Sequence, residues 1–181
     1  MKKLAFFLLF FVSCPIYAGF SSFDNDINYI EPTYNLFYTE VLKIKNNKDL
    51  DRNFISNIGI INLNTNTTTY IFKNDFNENI EDLFFETGFN SDSEEIKFNK
   101  NYRVENNRGI KNRLIKDKLC IYTYNSETRT YSLWFCNKLG QNLKRVKSFK
   151  RDTNWWIDIK NSKIYFIPQI ADELHVDSIE W

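Results

Sequence analysis

Glycine is scarce in this chain of 181 residues, with five copies, as are proline with three, methionine with one and histidine with one. Each shortage excludes a kind of chemistry. With so little glycine, no phosphate-cradling loop is present. The lone His175 leaves no histidine metal set. Nor does its neighbourhood in sequence mark a serine or cysteine as the nucleophile of a catalytic triad. Asp24-Asn25-Asp26-Ile27-Asn28 begins like a calcium loop, but Tyr29 stands where that loop needs glycine. Glycosidase-type chemistry needs only two carboxylates, so it stays open; Asp92, Glu94 and Glu95 are the tightest acidic group besides Asp24 and Asp26. No metal or cofactor is expected, and no catalytic residue is assigned.

What the chain does contain begins with an address. Lys2 and Lys3 precede the uninterrupted apolar run Leu4 to Val12, Pro15 breaks the segment, and Ile16-Tyr17-Ala18 forms a cleavage site before Gly19. This order predicts a secretory signal peptide over residues 1–18. The apolar run is shorter than the roughly 20 residues of a spanning helix, so no transmembrane span is expected after cleavage. The alternative is a lipobox, Phe11-Val12-Ser13-Cys14, with Cys14 as a lipidated first residue.

The remaining residues, 19–181, suffice for one domain with a real core. Hydrophobic residues make up 43% of the sequence and aromatics 17%, which argues against disorder. Short runs rich in Ile, Tyr, Phe, Trp and Thr alternate with Asn-rich breaks, a strand-and-turn pattern. Asn, Asp and Ser must then make the turns that glycine and proline do not. Strands are expected over 34–44, 54–63, 67–72, 119–124, 131–136, 143–149, 154–159, 163–167 and 173–181. Ile80 to Thr87 is the best helix candidate, with Asn79 as cap, Gly88 as stop, and Ile80, Leu83 and Phe84 as its buried face. The expected fold is mainly β: a single antiparallel domain, whether sandwich, barrel or partial propeller, with at most one or two short helices.

Cys120 and Cys136 are the only cysteines beyond the leader, an even pair in an oxidising compartment. Each lies at the end of a strand-like run, and a hairpin centred on Thr128 would set them opposite each other. A disulfide between them is therefore expected. Alternation would put Tyr122, Tyr124 and Trp134 on the cysteine face, as an aromatic platform or beneath a second sheet. Charge is also uneven. Residues 19–99 carry a net −8 and residues 100–181 a net +7. Arg108, Lys111, Arg113, Lys116 and Lys118 form one basic cluster; Lys144, Arg145, Lys147, Lys150 and Arg151 form another. Such runs either meet an anionic partner or are simply solvated. Arg108, Lys111, Arg113, Lys144 and Arg145 are the candidates for that contact.

Tyr131 to Val146, with the turn Asn137-Lys138-Leu139-Gly140-Gln141-Asn142, followed by the hairpin Trp156 to Ile167 around Asn161-Ser162, resembles the repeat of TolB-type β-propellers. The turn departs from that repeat's usual Asp-Gly, and its proline is absent. The resemblance implies a binding scaffold in the envelope.

The leading expectation is thus a small exported β protein, periplasmic or secreted, that binds another macromolecule as an accessory, inhibitor or immunity-type factor. The partner is expected to be a protein, with an anionic surface or polysaccharide as the alternative through residues 100–151; nucleic acid is not expected. A lipid-anchored structural component of an envelope secretion or pilus apparatus, and a two-carboxylate hydrolase, are the other readings.

Overall fold

The computed structural model describes residues 27–43, 54–74, 76–111, 113–170 and 173–181. The expected leader, with Cys14, lies outside the described residues. Fifteen strands and no helix occur among those described, so the chain is a mainly β domain, built of three mostly antiparallel sheets with no closed barrel.

The first sheet is a simple meander of β1 (Asn28–Glu31), β2 (Leu36–Lys43), β3 (Phe54–Asn62) and β4 (Thr67–Tyr70). The second has the order β10-β9-β8-β5-β6. It comprises β5 (Asn79–Asn90), β6 (Glu95–Phe98), β8 (Leu119–Asn125), β9 (Thr130–Cys136) and β10 (Lys144–Lys150). The third, in the order β15-β12-β11-β7, is made of β7 (Val104–Glu105), β11 (Asn154–Asp158), β12 (Lys163–Ile167) and β15 (Asp177–Glu180). A two-stranded ribbon, β13 (Gln169–Ile170) and β14 (Glu173–Leu174), joins β12 to β15. Strand β7 pairs parallel with β11 although it precedes β8 in sequence. The chain therefore crosses into the third sheet before finishing the second.

Two hydrophobic cores separate the three layers. Leu36, Tyr38, Ile58 and Ile60 of the first sheet pack with Leu83, Phe85, Leu119 and Ile121 of the second. On the opposite face of the second sheet, Phe84, Leu133 and Phe135 pack with Trp155, Ile157, Ile164, Phe166 and Trp181. The middle sheet is thus apolar on both faces, and this corrects the expected helix over Ile80 to Thr87, which is the centre of β5. A strand buried on both sides has no polar face, so its apolar residues run almost continuously and fall by chance at helical spacing. A bulge between Ile80 and Asp82 obscures the alternation further.

Five hairpins share one design. Each pairs a residue with the one five places on: Glu31 with Leu36, Asn62 with Thr67, Asn90 with Glu95, Asn125 with Thr130 and Asp158 with Lys163. In each, the first residue's side-chain oxygen accepts a backbone N–H of the turn: Tyr34 (2.8 Å), Asn64 (2.9 Å), Asp92 (3.0 Å), Glu127 (3.0 Å) and Asn161 (2.9 Å). The fifth residue of each turn is left-handed: Asn35 (φ 55°), Asn66 (54°), Glu94 (48°), Arg129 (55°) and Ser162 (52°). Carboxamide and carboxylate caps, with a left-handed non-glycine residue four places on, do here what glycine does elsewhere. Where glycine does stand at φ 79°, at Gly140, an added Cβ would lie 2.8 Å from the Ile60 Cδ1 atom.

That shared geometry overturns the expected disulfide. The loop between β8 and β9 has four residues, so Leu119 faces Cys136 and Cys120 faces Phe135. The hairpin is centred between Glu127 and Thr128 rather than on Thr128, and a one-residue slip sends a side chain to the other face. Cys136 belongs to the core against the first sheet and Cys120 to the core against the third, both as free thiols. Burial pushes Cys136 up to about 12 and raises Cys120 as well, so neither is a nucleophile at neutral pH. Both should resist iodoacetamide in the native protein and both should be alkylated once it is unfolded without reductant. Peptide mapping that found them linked would contradict this register.

Candidate functional site

A middle layer with no wet face creates a problem for the polar residues its sequence carries, and the basic residues solve most of it. Glu86, fully buried, accepts from the Arg113 guanidinium, the Lys116 backbone N–H (2.9 Å) and the Trp181 indole N–H (2.8 Å). Glu78 accepts from Arg145 (2.6 Å) and Thr123 (2.5 Å), with the Arg145 guanidinium 4.5 Å from the Trp134 ring centroid. Asp82 accepts from Lys100 (3.1 Å) and the Tyr102 hydroxyl (2.6 Å). Glu31 and Lys138, both buried, form an ion pair at 2.7 Å, and Lys138 Nζ also donates to the Glu86 carbonyl at 2.8 Å.

These contacts divide the basic residues singled out from the sequence. Arg113 and Arg145 are committed to buried carboxylates. Arg108 makes an exposed pair with Glu95 at 3.7 Å, and Lys111 and Lys144 are exposed. Lys116 lies near Arg113 and Lys118, and Lys118 near Lys144, so the two basic runs of the sequence approach each other there. The aromatic set is also divided. Trp134 pairs opposite Ile121 and packs toward Phe72 and Phe76 of the first-sheet core. Tyr122 and Tyr124 alternate onto the other face, so the expected platform of Tyr122, Tyr124 and Trp134 is corrected: no surface carries all three.

A different assembly takes its place at the end of the middle sheet where the Asn125–Thr130 turn meets the turn after β10. Thr128, Arg129, Thr130, Lys150, Arg151 and Asp152 line an open cleft of about 690 Å³. Among the described residues no ion pair involves Arg129, Lys150 or Arg151. Behind the cleft runs a ladder of rings. Tyr124 and Tyr131 lie 4.8 Å apart, Tyr131 and Tyr122 stack at 4.9 Å, and Tyr122 and Phe149 stack at 6.2 Å. At its inner end Arg103 lies 4.5 Å from the Trp155 ring centroid and donates to the Trp155 carbonyl (2.9 Å). Burial, then the nearby Glu81 carboxylate, pushes the Tyr131 hydroxyl above its ordinary value, against the pull of Arg151 and Arg103.

Lys150 and Arg151 lay within a basic cluster of the sequence, while Arg129 did not stand out. Arg129 holds a left-handed position that Asn occupies at Asn35 and Asn66. Glu94 and Ser162 hold the same position in two of the other turns, so the angle is shared and does not by itself set Arg129 apart.

The reading that rests on Asp92, Glu94 and Glu95 finds Asp92 and Glu94 on the exposed turn between β5 and β6, and Glu95 at the start of β6, where its carboxylate accepts from Ser93 and Asn107 and pairs with Arg108. Asp24 and Asp26 lie outside the described residues, and His175 is exposed between β14 and β15. No group of three His, Cys, Asp or Glu side chains among the described residues is placed to hold a metal ion. Among them, too, no helix is long and apolar enough to cross a membrane. The chain matches no family model, no curated protein and no solved structure.

The buried pair of Glu31 and Lys138 generates two expectations. Removing one partner should cost about 3–5 kcal/mol, because the other charge is left buried; a double Glu31→Leu, Lys138→Met variant should recover most of that. Burial raises the Glu31 carboxyl. Hydrogen bonds from Lys138, the Tyr34 N–H and Thr33, with the Lys138 charge, outweigh this and bring it below its ordinary 4.5. A carboxyl depressed in the folded state stabilises above its unfolded pKa, and that stability is lost as pH falls through the folded one. Urea midpoints should therefore drop below about pH 4.5 in the wild type, and less steeply in the double variant.

Proposed function

We propose that this chain is an exported binding protein, periplasmic or secreted, that engages another macromolecule through the basic cleft at the turn end of the middle sheet. One observation carries this reading. Three cations that form no ion pair among the described residues stand together in this cleft, in a fold that pairs Lys100, Arg113, Lys138 and Arg145 with buried carboxylates. Unpaired like charges repel, so their clustering has no stabilising role of its own. The buried carboxylates Glu31, Glu78, Asp82 and Glu86 each hold structural donors, which favours a scaffold over a hydrolase.

The test is comparative crosslinking in the native compartment. Wild-type chain and an Arg129→Gln, Lys150→Gln, Arg151→Gln variant would be expressed with the leader intact and crosslinked in envelope and medium fractions. The wild type should capture one macromolecular species, and the variant should lose it by about tenfold or more, the loss of roughly 1.4 kcal/mol of binding. Equal capture by both forms would remove the cleft from the reading.

A further inference from the structure

We infer that the ligand of this cleft is an acidic polysaccharide, held through carboxylate or sulfate groups on its sugar rings. The inference rests on the cleft's role proposed above and adds the class of ligand. Its lining consists of three cations, two threonines and one aspartate, with no apolar side chain among the six. A protein partner needs an apolar or aromatic centre from which water is excluded, with polar residues at the rim. No such residue lines this cleft. A charged glycan is polar over its whole surface and needs what is here: guanidinium forks for its anionic groups and hydroxyls for its own hydroxyls.

Arg129 and Arg151 provide the forks and Lys150 a third positive charge, while Asp152 leaves the set with a net +2. Thr128 and Thr130 hold each other's hydroxyls at 2.7 Å on the floor, where each retains hydrogen-bonding capacity. The cleft's 690 Å³ lies within the range of ordinary ligand sites, about 300–1,000 Å³, and it is open rather than enclosed, as a segment of a continuing chain requires.

The experiment titrates full-length mature chain with fluorescently labelled oligogalacturonate, its fully methyl-esterified counterpart, and a poly-glutamate peptide of equal charge. The oligogalacturonate should bind, with affinity that falls as salt rises, and should exceed both the neutral ester and the peptide by about tenfold or more. Lys150→Gln with Arg151→Gln should weaken it at least as much. Arg129→Asn should weaken it while keeping or raising the thermal midpoint, because Asn is at ease in the left-handed position; loss of binding is then separable from loss of fold. Binding of the peptide as tightly as the glycan would overturn the glycan assignment while leaving a macromolecular partner. No binding of either charged probe at low salt would overturn both.

Discussion

The ammonium of Lys138 is the contact on which the layered arrangement depends. It is seated in the turn after β9, at a point with no access to water, and it joins the Glu31 carboxylate of the first sheet to the Glu86 carbonyl of the second. Tyr38 of β2 donates to the Lys138 carbonyl (2.9 Å), and the Lys138 N–H donates to Asp117 (2.9 Å). An isolated buried charge would be far too costly to keep. With its partners it fixes which face of the first sheet meets the middle layer, since no other packing would satisfy Glu31. Hydrophobic burial supplies the larger energy, but apolar surface alone does not choose one register over another.

The same logic explains the distribution of charge. The acidic first part of the chain and the basic second part largely neutralise each other inside one fold: Glu31 with Lys138, Glu78 with Arg145, Asp82 with Lys100 and Glu86 with Arg113 all span the divide at about residue 100. What is left over after that pairing is informative. Among the several cations outside those pairs, Arg129, Lys150 and Arg151 gather at one turn end.

Much of the fold was legible. The strands over 54–63, 119–124, 131–136 and 163–167 match β3, β8, β9 and β12 to within about two residues, because each has branched or aromatic side chains flanked by Asn-rich turns. Strand β5 was illegible as a strand because both its faces are covered, a fact decided by distant residues. The cysteine register failed on a single residue of loop length, and face assignment is the property most sensitive to that error. The site was only half visible. Composition marked a basic segment, but whether an Arg serves a buried Glu or open water depends on partners 27 and 67 positions away for Arg113 and Arg145. Arg129 was hidden because it stands alone in a polar turn, outside both basic runs of the sequence.

Strand β7 has a consequence for how the molecule is made. The first sheet is contiguous in sequence, but the second and third are interleaved, because residues 104–105 enter the third sheet before residues 119–150 complete the second. Neither can close alone. A chain emerging from its N-terminal side exposes the apolar inner face of a finished four-stranded meander while its cover is still unsynthesised, and β7 waits for β11, about fifty residues later. Such a product is vulnerable to edge pairing and aggregation until its last strands arrive. Folding is then all-or-none on the scale of the whole domain, and a truncation near the C-terminal Trp181, which seals the second core, should be felt as far back as Glu86.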